Sequence, residues 1–223
     1  MRFRIVVTDV TLVGPKRCVA GFDPVGGRMV RPEQAHKEFW PAYMCGENTV
    51  FHPGHVVDFG GAQPAGEFPH RTEDIVVTGQ PRRAGKLSST EFGTVLRKSL
   101  SLSPEAVFGR NLVVDRSKAY VPLNAPCGSL AALEVMSKQV VFHQAASFGG
   151  RVKPRAYLPV GGKILDLSIT AKSVKQPFQS QGLPAAIAGF SGAERLHIRL
   201  GLARPLNDFP DRCYLQINGI YPI

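Results

Sequence analysis

Five cations stand out by type and spacing: Arg28 and Arg31 in one stretch, and Arg151, Lys153 and Arg155 in another. Side chains alternate between faces along an extended segment, so Arg151, Lys153 and Arg155 form a row with neighbours about 7 Å apart. Like charges so placed repel one another, and an anionic ligand relieves the repulsion. The same alternation puts Arg31 with Met29 on one face and Arg28 with Val30 on the other. A guanidinium is a planar, permanently charged fork that fits a phosphate or a carboxylate. These arginines equally suit a second role, standing in solvent or pairing with a structural carboxylate. Phe142, Phe148 and Tyr157 are the aromatics nearest the second set. A base stacked on such a ring gains about 1–3 kcal/mol, although rings on strands commonly pack inward.

Other chemistries find less support. Asp58, Asp74, Asp115 and Asp166 could in principle gather two or three around Mg²⁺ for phosphodiester chemistry, with pairing to arginine as their other role. Cys45, His52 and His55 lack the fourth ligand of a zinc tetrahedron. Cys18 lies beside Arg17, but no His–Asp or His–Asn constellation is recognisable by spacing. There is no P-loop, G-x-S-x-G, H-E-x-x-H or dinucleotide fingerprint. No catalytic residue, metal ligand or cofactor is therefore expected.

Charge favours a polyanion. The net charge is +10, and residues 138–175 hold seven cations against one acid, Asp166. A second basic stretch, 82–98, has Arg82, Arg83, Lys86, Arg97 and Lys98 against Glu91. Such patches bind polyanions through steering and counterion release. No apolar run reaches the length of a membrane span, and the opening apolar run is too short for a signal peptide. The four cysteines lie far apart with no C-x-x-C pair, which fits reduced thiols in a cytoplasm.

The elements that must position these groups are mostly short strands, as 23 glycines and 18 prolines suggest. Residues 2–8 read as a strand. Arg17–Phe22 and Arg28–Arg31 read as a hairpin around Asp23-Pro24-Val25-Gly26-Gly27. Residues 33–40 suggest a short helix stopped by Pro41, with strands following at 56–59 and 74–78. Three strands, a helix and two strands is the element order of an OB-type barrel. Ser88-x-x-Glu91 is a capping box that opens a helix over 88–102, with Phe92, Val95, Leu96 and Leu100 on one face. Ser103-Pro104-Glu105 starts a second short helix ended by Gly109. Residues 111–128 read as the crossing between lobes. Strands follow around 129–135, 139–142, 151–158, 164–170, 195–200 and 214–220, with a Gly161-Gly162 turn; 172–193 gives no clear assignment. The fold expected is mainly β: two small OB-like β-barrels with a few short helices, 1–110 and 129–223, joined by a 111–128 linker.

Arg17-Cys18-Val19-Ala20-Gly21 followed by Arg28-Met29-Val30-Arg31-Pro32 resembles the opening of the dual OB-containing domain family of prokaryotes. Met29 stands where that family typically has Trp. Phe108-Gly109, Ser129-Leu130, Arg155 before a hairpin, and Leu167 to Thr170 match its pattern in order, as do Leu200-Gly201-Leu202 and Cys213 to Ile220. Ala171 departs from it, since the family pattern has Asp after the Thr. The resemblance implies two OB-like folds, recognition of nucleic acid or nucleotides, and a place beside prokaryotic defence and conflict systems. It brings no established catalytic residues.

The function expected is a cytoplasmic, non-enzymatic module binding single-stranded nucleic acid or a nucleotide through Arg28, Arg31, Arg151, Lys153 and Arg155. A metal-dependent nuclease or nucleotide-processing enzyme using Asp58 or Asp166, and an adaptor docking protein partners, are the alternatives.

Overall fold

The structure is a computed structural model that describes every residue except 65, 67, 102 and 147–149, and leaves the side chain of Lys37 undescribed. The chain forms two compact units, Met1–Gly66 with His70–Leu100, and Ser101–Ile223 with Glu67–Pro69.

The first unit is a closed five-strand barrel. The barrel strands are β1 (Arg2–Val13), β2 (Lys16–Asp23), β3 (Arg28–Glu33), β5 (His55–Ala62) and β6 (Asp74–Lys86), and the two-residue β4 (Trp40–Pro41) lies outside the circuit. β1 pairs antiparallel with both β2 and β5, β2 with β3, and β5 with β6, while β3 runs parallel to β6 and closes the circuit. β4 pairs with β2 at the margin. The β2–β3 hairpin forms where its turn residues require it. Asp23 Oδ1 accepts from the amides of Val25 and Gly26, and Gly27 adopts φ +62°, a conformation open to glycine at no steric cost. Inward side chains such as Ile5, Val7, Val30, Phe51 and Val57 fill the core. The helix expected over 33–40 is a single 3-10 turn at Ala35–Lys37, broken by His36 at φ +61°. Trp40 anchors this segment by donating from Nε1 to the Pro32 carbonyl at 2.7 Å. Helix α1 (Ser89–Lys98) follows with its full capping box, in which Ser88 Oγ accepts from the Glu91 amide and the Glu91 carboxylate accepts from the Ser88 amide.

The second unit repeats the strand order with its first strand broken. It comprises α2 (Pro104–Phe108), β7 (Val113–Asp115), β8 (Lys118–Pro122), β9 (Leu130–Met136), β10 (Val141–Ala146), β11 (Val152–Val160), β12 (Lys163–Ile169), α3 (Lys172–Gln181), α4 (Leu183–Ile187), β13 (Arg195–Leu202) and β14 (Arg212–Pro222). The sheet runs β10-β11-β12-β14-β13-β9, with β12 parallel to β14. The 3-10 turn Ser137–Gln139 separates β9 from β10, so one half of the leading strand pairs with β13 and the other with β11. The result is a curled half-barrel. Residues 101–128, expected to end the first lobe and cross to the second, pack within the second unit: Phe108 is buried in its core, and β8 pairs with both β7 and β14. Leu158, Leu165, Leu167, Ile198 and Ile217 are fully buried at its centre.

Candidate nucleic-acid interface

The second unit presents over this core a sheet face that mixes polar groups with the exposed apolar side chains of Val141 and Ile164. Gly161 and Gly162, at φ +55° and +75°, make the two-residue turn between β11 and β12. Paired left-handed residues give the turn twist that hairpin strands need. That turn fixes the register in which Tyr157 opposes Asp166 and Arg155 opposes Ser168. On the other side of β11, Tyr157 opposes Val141, Arg155 opposes His143 and Lys153 opposes Ala145. Pro154, Ala156, Leu158 and Val160 alternate with these residues and point into the core. Lys153, Arg155 and Tyr157 therefore share the outward face, as the spacing suggests; Arg151 stands exposed one residue before the strand.

The three cations of this row differ in what they touch. Arg155 donates from Nε to Asp166 Oδ1 at 2.7 Å, from Nη1 to Ser168 Oγ at 2.7 Å, and from Nη2 to the Asp166 carbonyl at 2.8 Å. Its fork is closed onto β12, and its side chain is only 15% exposed. His143 Nε2 lies 3.0 Å from the same Asp166 oxygen. A carboxylate only accepts, so that nitrogen carries the proton. The His143 ring stacks on Tyr157, centroids 4.4 Å apart and planes 14° apart. Asp166 thus holds one arginine and one imidazole, and the imidazole supports a tyrosine that remains 39% exposed. Lys153 is half-buried on the same face. Of the other aromatics, Phe142 packs against the core and stacks on Phe190 at 5.6 Å, while Phe148 lies outside the described residues.

Arg28 and Arg31 separate in the first unit, as their alternation requires. Arg28 is exposed at the start of β3, its guanidinium carbon 5.8 Å from the Phe3 ring centroid. Arg31 is buried: Nη1 donates to Asp74 Oδ1 at 2.8 Å and to His70 Nδ1 at 2.8 Å, and the two ion-pair partners are 6% and 7% exposed. The parallel β3–β6 register sets Arg31 directly beside Asp74, so this cation joins the two strands that close the barrel. Sequence spacing carries no sign of this pairing, because the partners lie 43 residues apart. It also misses His143, whose role depends on a β10–β11 register visible only in three dimensions. Asp58 and Asp166, the acids a metal would need, are both engaged by arginines, Asp58 by Arg4 through two 2.7 Å bonds. Among the described residues no three His, Cys, Asp or Glu side chains are placed to hold a metal ion, and no helix is long and apolar enough to cross a membrane.

A five-strand circuit closed by a parallel pair, repeated with a broken first strand, defines a protein of two OB-type folds. The model of the dual OB-containing domain matches residues 3–220, nearly the whole chain. The chain belongs to that family. Comparison with curated proteins and with solved structures gives no match.

Proposed function

We propose that this chain is a non-enzymatic module that binds single-stranded nucleic acid, or a nucleotide of the same chemistry, on the outward face of β10, β11 and β12. The observation that carries the reading is Tyr157, exposed on β11 and held flat by the His143 ring. A buried core does not need a phenol in that position, whereas an unpaired base gains about 1–3 kcal/mol by stacking on one. Arg151 and Lys153 supply charge at the near end of the strand, where a phosphate backbone would run. Arg155 and Asp166 hold the platform in place. Arg28 is an outlying contact in the first unit, and Arg31 supports the barrel. The place of such a module in a cytoplasmic prokaryotic defence or conflict assembly rests on the family resemblance alone.

The test is fluorescence anisotropy of a labelled single-stranded oligonucleotide. Tyr157→Ala is expected to weaken binding by about 5- to 150-fold, the equivalent of one lost stacking contact. Tyr157→Phe keeps the ring and is expected to bind like the parent. Unchanged affinity in Tyr157→Ala would remove the stacking platform from the argument.

A further inference from the structure

Three rings and an arginine gather on the second unit, on strands that take no part in the Tyr157 platform. β8 and β14 pair antiparallel, and their register sets Tyr120 beside Tyr214 and Pro122 beside Arg212. Ala119, Val121, Cys213 and Leu215 alternate with these residues and lie in the core, so Tyr120, Arg212 and Tyr214 point outward. Phe209 joins them from the segment that leads into β14, where its carbonyl accepts from the Arg212 amide at 3.3 Å. The ring centroids of Tyr120 and Tyr214 are 5.7 Å apart, and Phe209 meets Tyr214 edge-on at 5.8 Å. The Arg212 guanidinium carbon lies 4.8 Å from the Tyr120 centroid and 5.7 Å from that of Phe209. All four side chains are half-buried.

Arg212 is held by these rings and not by an acid. The nearest carboxylate oxygen, Asp211 Oδ2, stops 3.6 Å from Nε, beyond hydrogen-bond reach, on a side chain 72% exposed. Nε is buried and has no hydrogen-bond partner among the described residues. Tyr214 is a hydrogen-bonding neighbour of the guanidinium and raises its pKa. A guanidinium braced by rings, with no carboxylate closed onto it, keeps its charge for a ligand and has little side-chain freedom left to lose on binding. The cluster also borders the face that carries Tyr157. The Asp166 amide donates to the Ser117 carbonyl at 2.7 Å, just ahead of β8. Ser168, which Arg155 grips, opposes Gln216 on β14, two residues from Tyr214. Tyr157 on β11 and Tyr214 on β14 are two strand spacings apart, about 10 Å, so one base cannot lie on both.

We infer that Tyr120, Tyr214, Phe209 and Arg212 hold a further nucleotide of a bound single strand, its base against the rings and its phosphate at the Arg212 fork. The ligand is then a strand several nucleotides long and not a free nucleotide, which narrows the function proposed above and rests on that reading for the Tyr157 contact. Bases stack on aromatic rings and on guanidinium planes, and a guanidinium fork complements phosphate in charge and geometry. The net charge of +10 favours a polyanion here over a neutral partner.

The experiment measures anisotropy of a labelled single strand of about 12 nucleotides, within the site size of an OB fold, between about 50 and about 200 mM salt. Arg212→Gln is expected to lower the log–log salt slope by about 0.7, the share of one phosphate contact on a single strand, and to weaken binding several-fold at the lowest salt. Tyr120→Leu keeps the bulk and loses the flat ring; it is expected to weaken binding by about 5- to 150-fold without changing the slope, because stacking releases no counterions. Asp211→Asn leaves every ring in place, removes the nearest negative charge and is expected to strengthen binding at the lowest salt. A mononucleotide is expected to compete more weakly than the unlabelled strand by at least the worth of one stacking contact. Arg212→Gln at the parent slope and affinity would overturn the inference, as would a mononucleotide that competes as well as the strand, or no binding at all at the lowest salt. Failure of the first platform is read separately: Tyr157→Ala unchanged with Arg212→Gln weakened removes Tyr157 and leaves this cluster, whereas the converse overturns the cluster and leaves Tyr157.

Discussion

An arginine whose fork is already filled cannot grip a ligand without first giving up bonds, and this divides the five cations. Arg155 makes three bonds to β12, and Arg31 is enclosed with Asp74 and His70. For Arg31 the consequence is measurable in stability. Removing one partner of a buried ion pair strands the other charge away from water, at a cost of about 3–5 kcal/mol. Arg31→Met is expected to destabilise the protein by that amount in urea denaturation. Arg31→Met combined with Asp74→Leu is expected to recover most of it, since two apolar groups can replace a buried pair with little loss. A single-variant loss below about 1 kcal/mol would mean that the pair is not structural. The residues themselves are legible as cations; their partners are not. Alternation along a strand states which side a residue faces, but an ion pair such as Arg31–Asp74 is set by which strand lies alongside.

Elements are legible in the sequence where a local rule fixes them. The capping box opens α1 at Ser88, the Asp23–Gly27 turn makes a hairpin, and Ser103-Pro104 starts α2. Residues 33–40 mislead because acids before an apolar pair imitate a helix start, whereas Trp40 is drawn back onto Pro32. The segment 172–193 is opaque for a physical reason. Its helix α3 contains Pro177, and its N-cap position is Ala171, which has no side chain to offer the first amides. The family resemblance places Asp at this point, where its carboxylate would cap α3. Ala171→Asp is accordingly expected to raise stability by about 1 kcal/mol, the usual worth of an N-cap. Ala171 is buried, so the variant also tests whether the site has room. A variant less stable than the parent in thermal or urea unfolding would show that packing, not capping, governs position 171.

At the scale of the whole molecule, acid should act on more than the carboxylates. His197 is fully buried on β13, and among the described residues neither of its ring nitrogens has a hydrogen-bond partner. Burial, with the charge of Arg199 two residues along the strand, pushes its pKa down to about 3. Tyr221 and Glu134 oppose it on the flanking strands, and the Glu134 carboxylate is already paired with Arg195. The folded protein therefore keeps this imidazole neutral, while the unfolded chain protonates it near pH 6.5. Below that value the unfolded state binds the extra proton, so stability falls as the pH drops from about 6.5 towards 3, by up to about 1.4 kcal/mol per pH unit. Above pH 6.5 the contribution is complete and flat. His197→Leu removes the titrating group and leaves Arg199, Glu134 and every carboxylate in place. The difference between parent and variant in urea unfolding, followed from about pH 7.5 to about 4, isolates the imidazole from the other acids. The parent is expected to lose stability more steeply below pH 6.5, and parallel curves would show that His197 reaches solvent or a partner in the folded state.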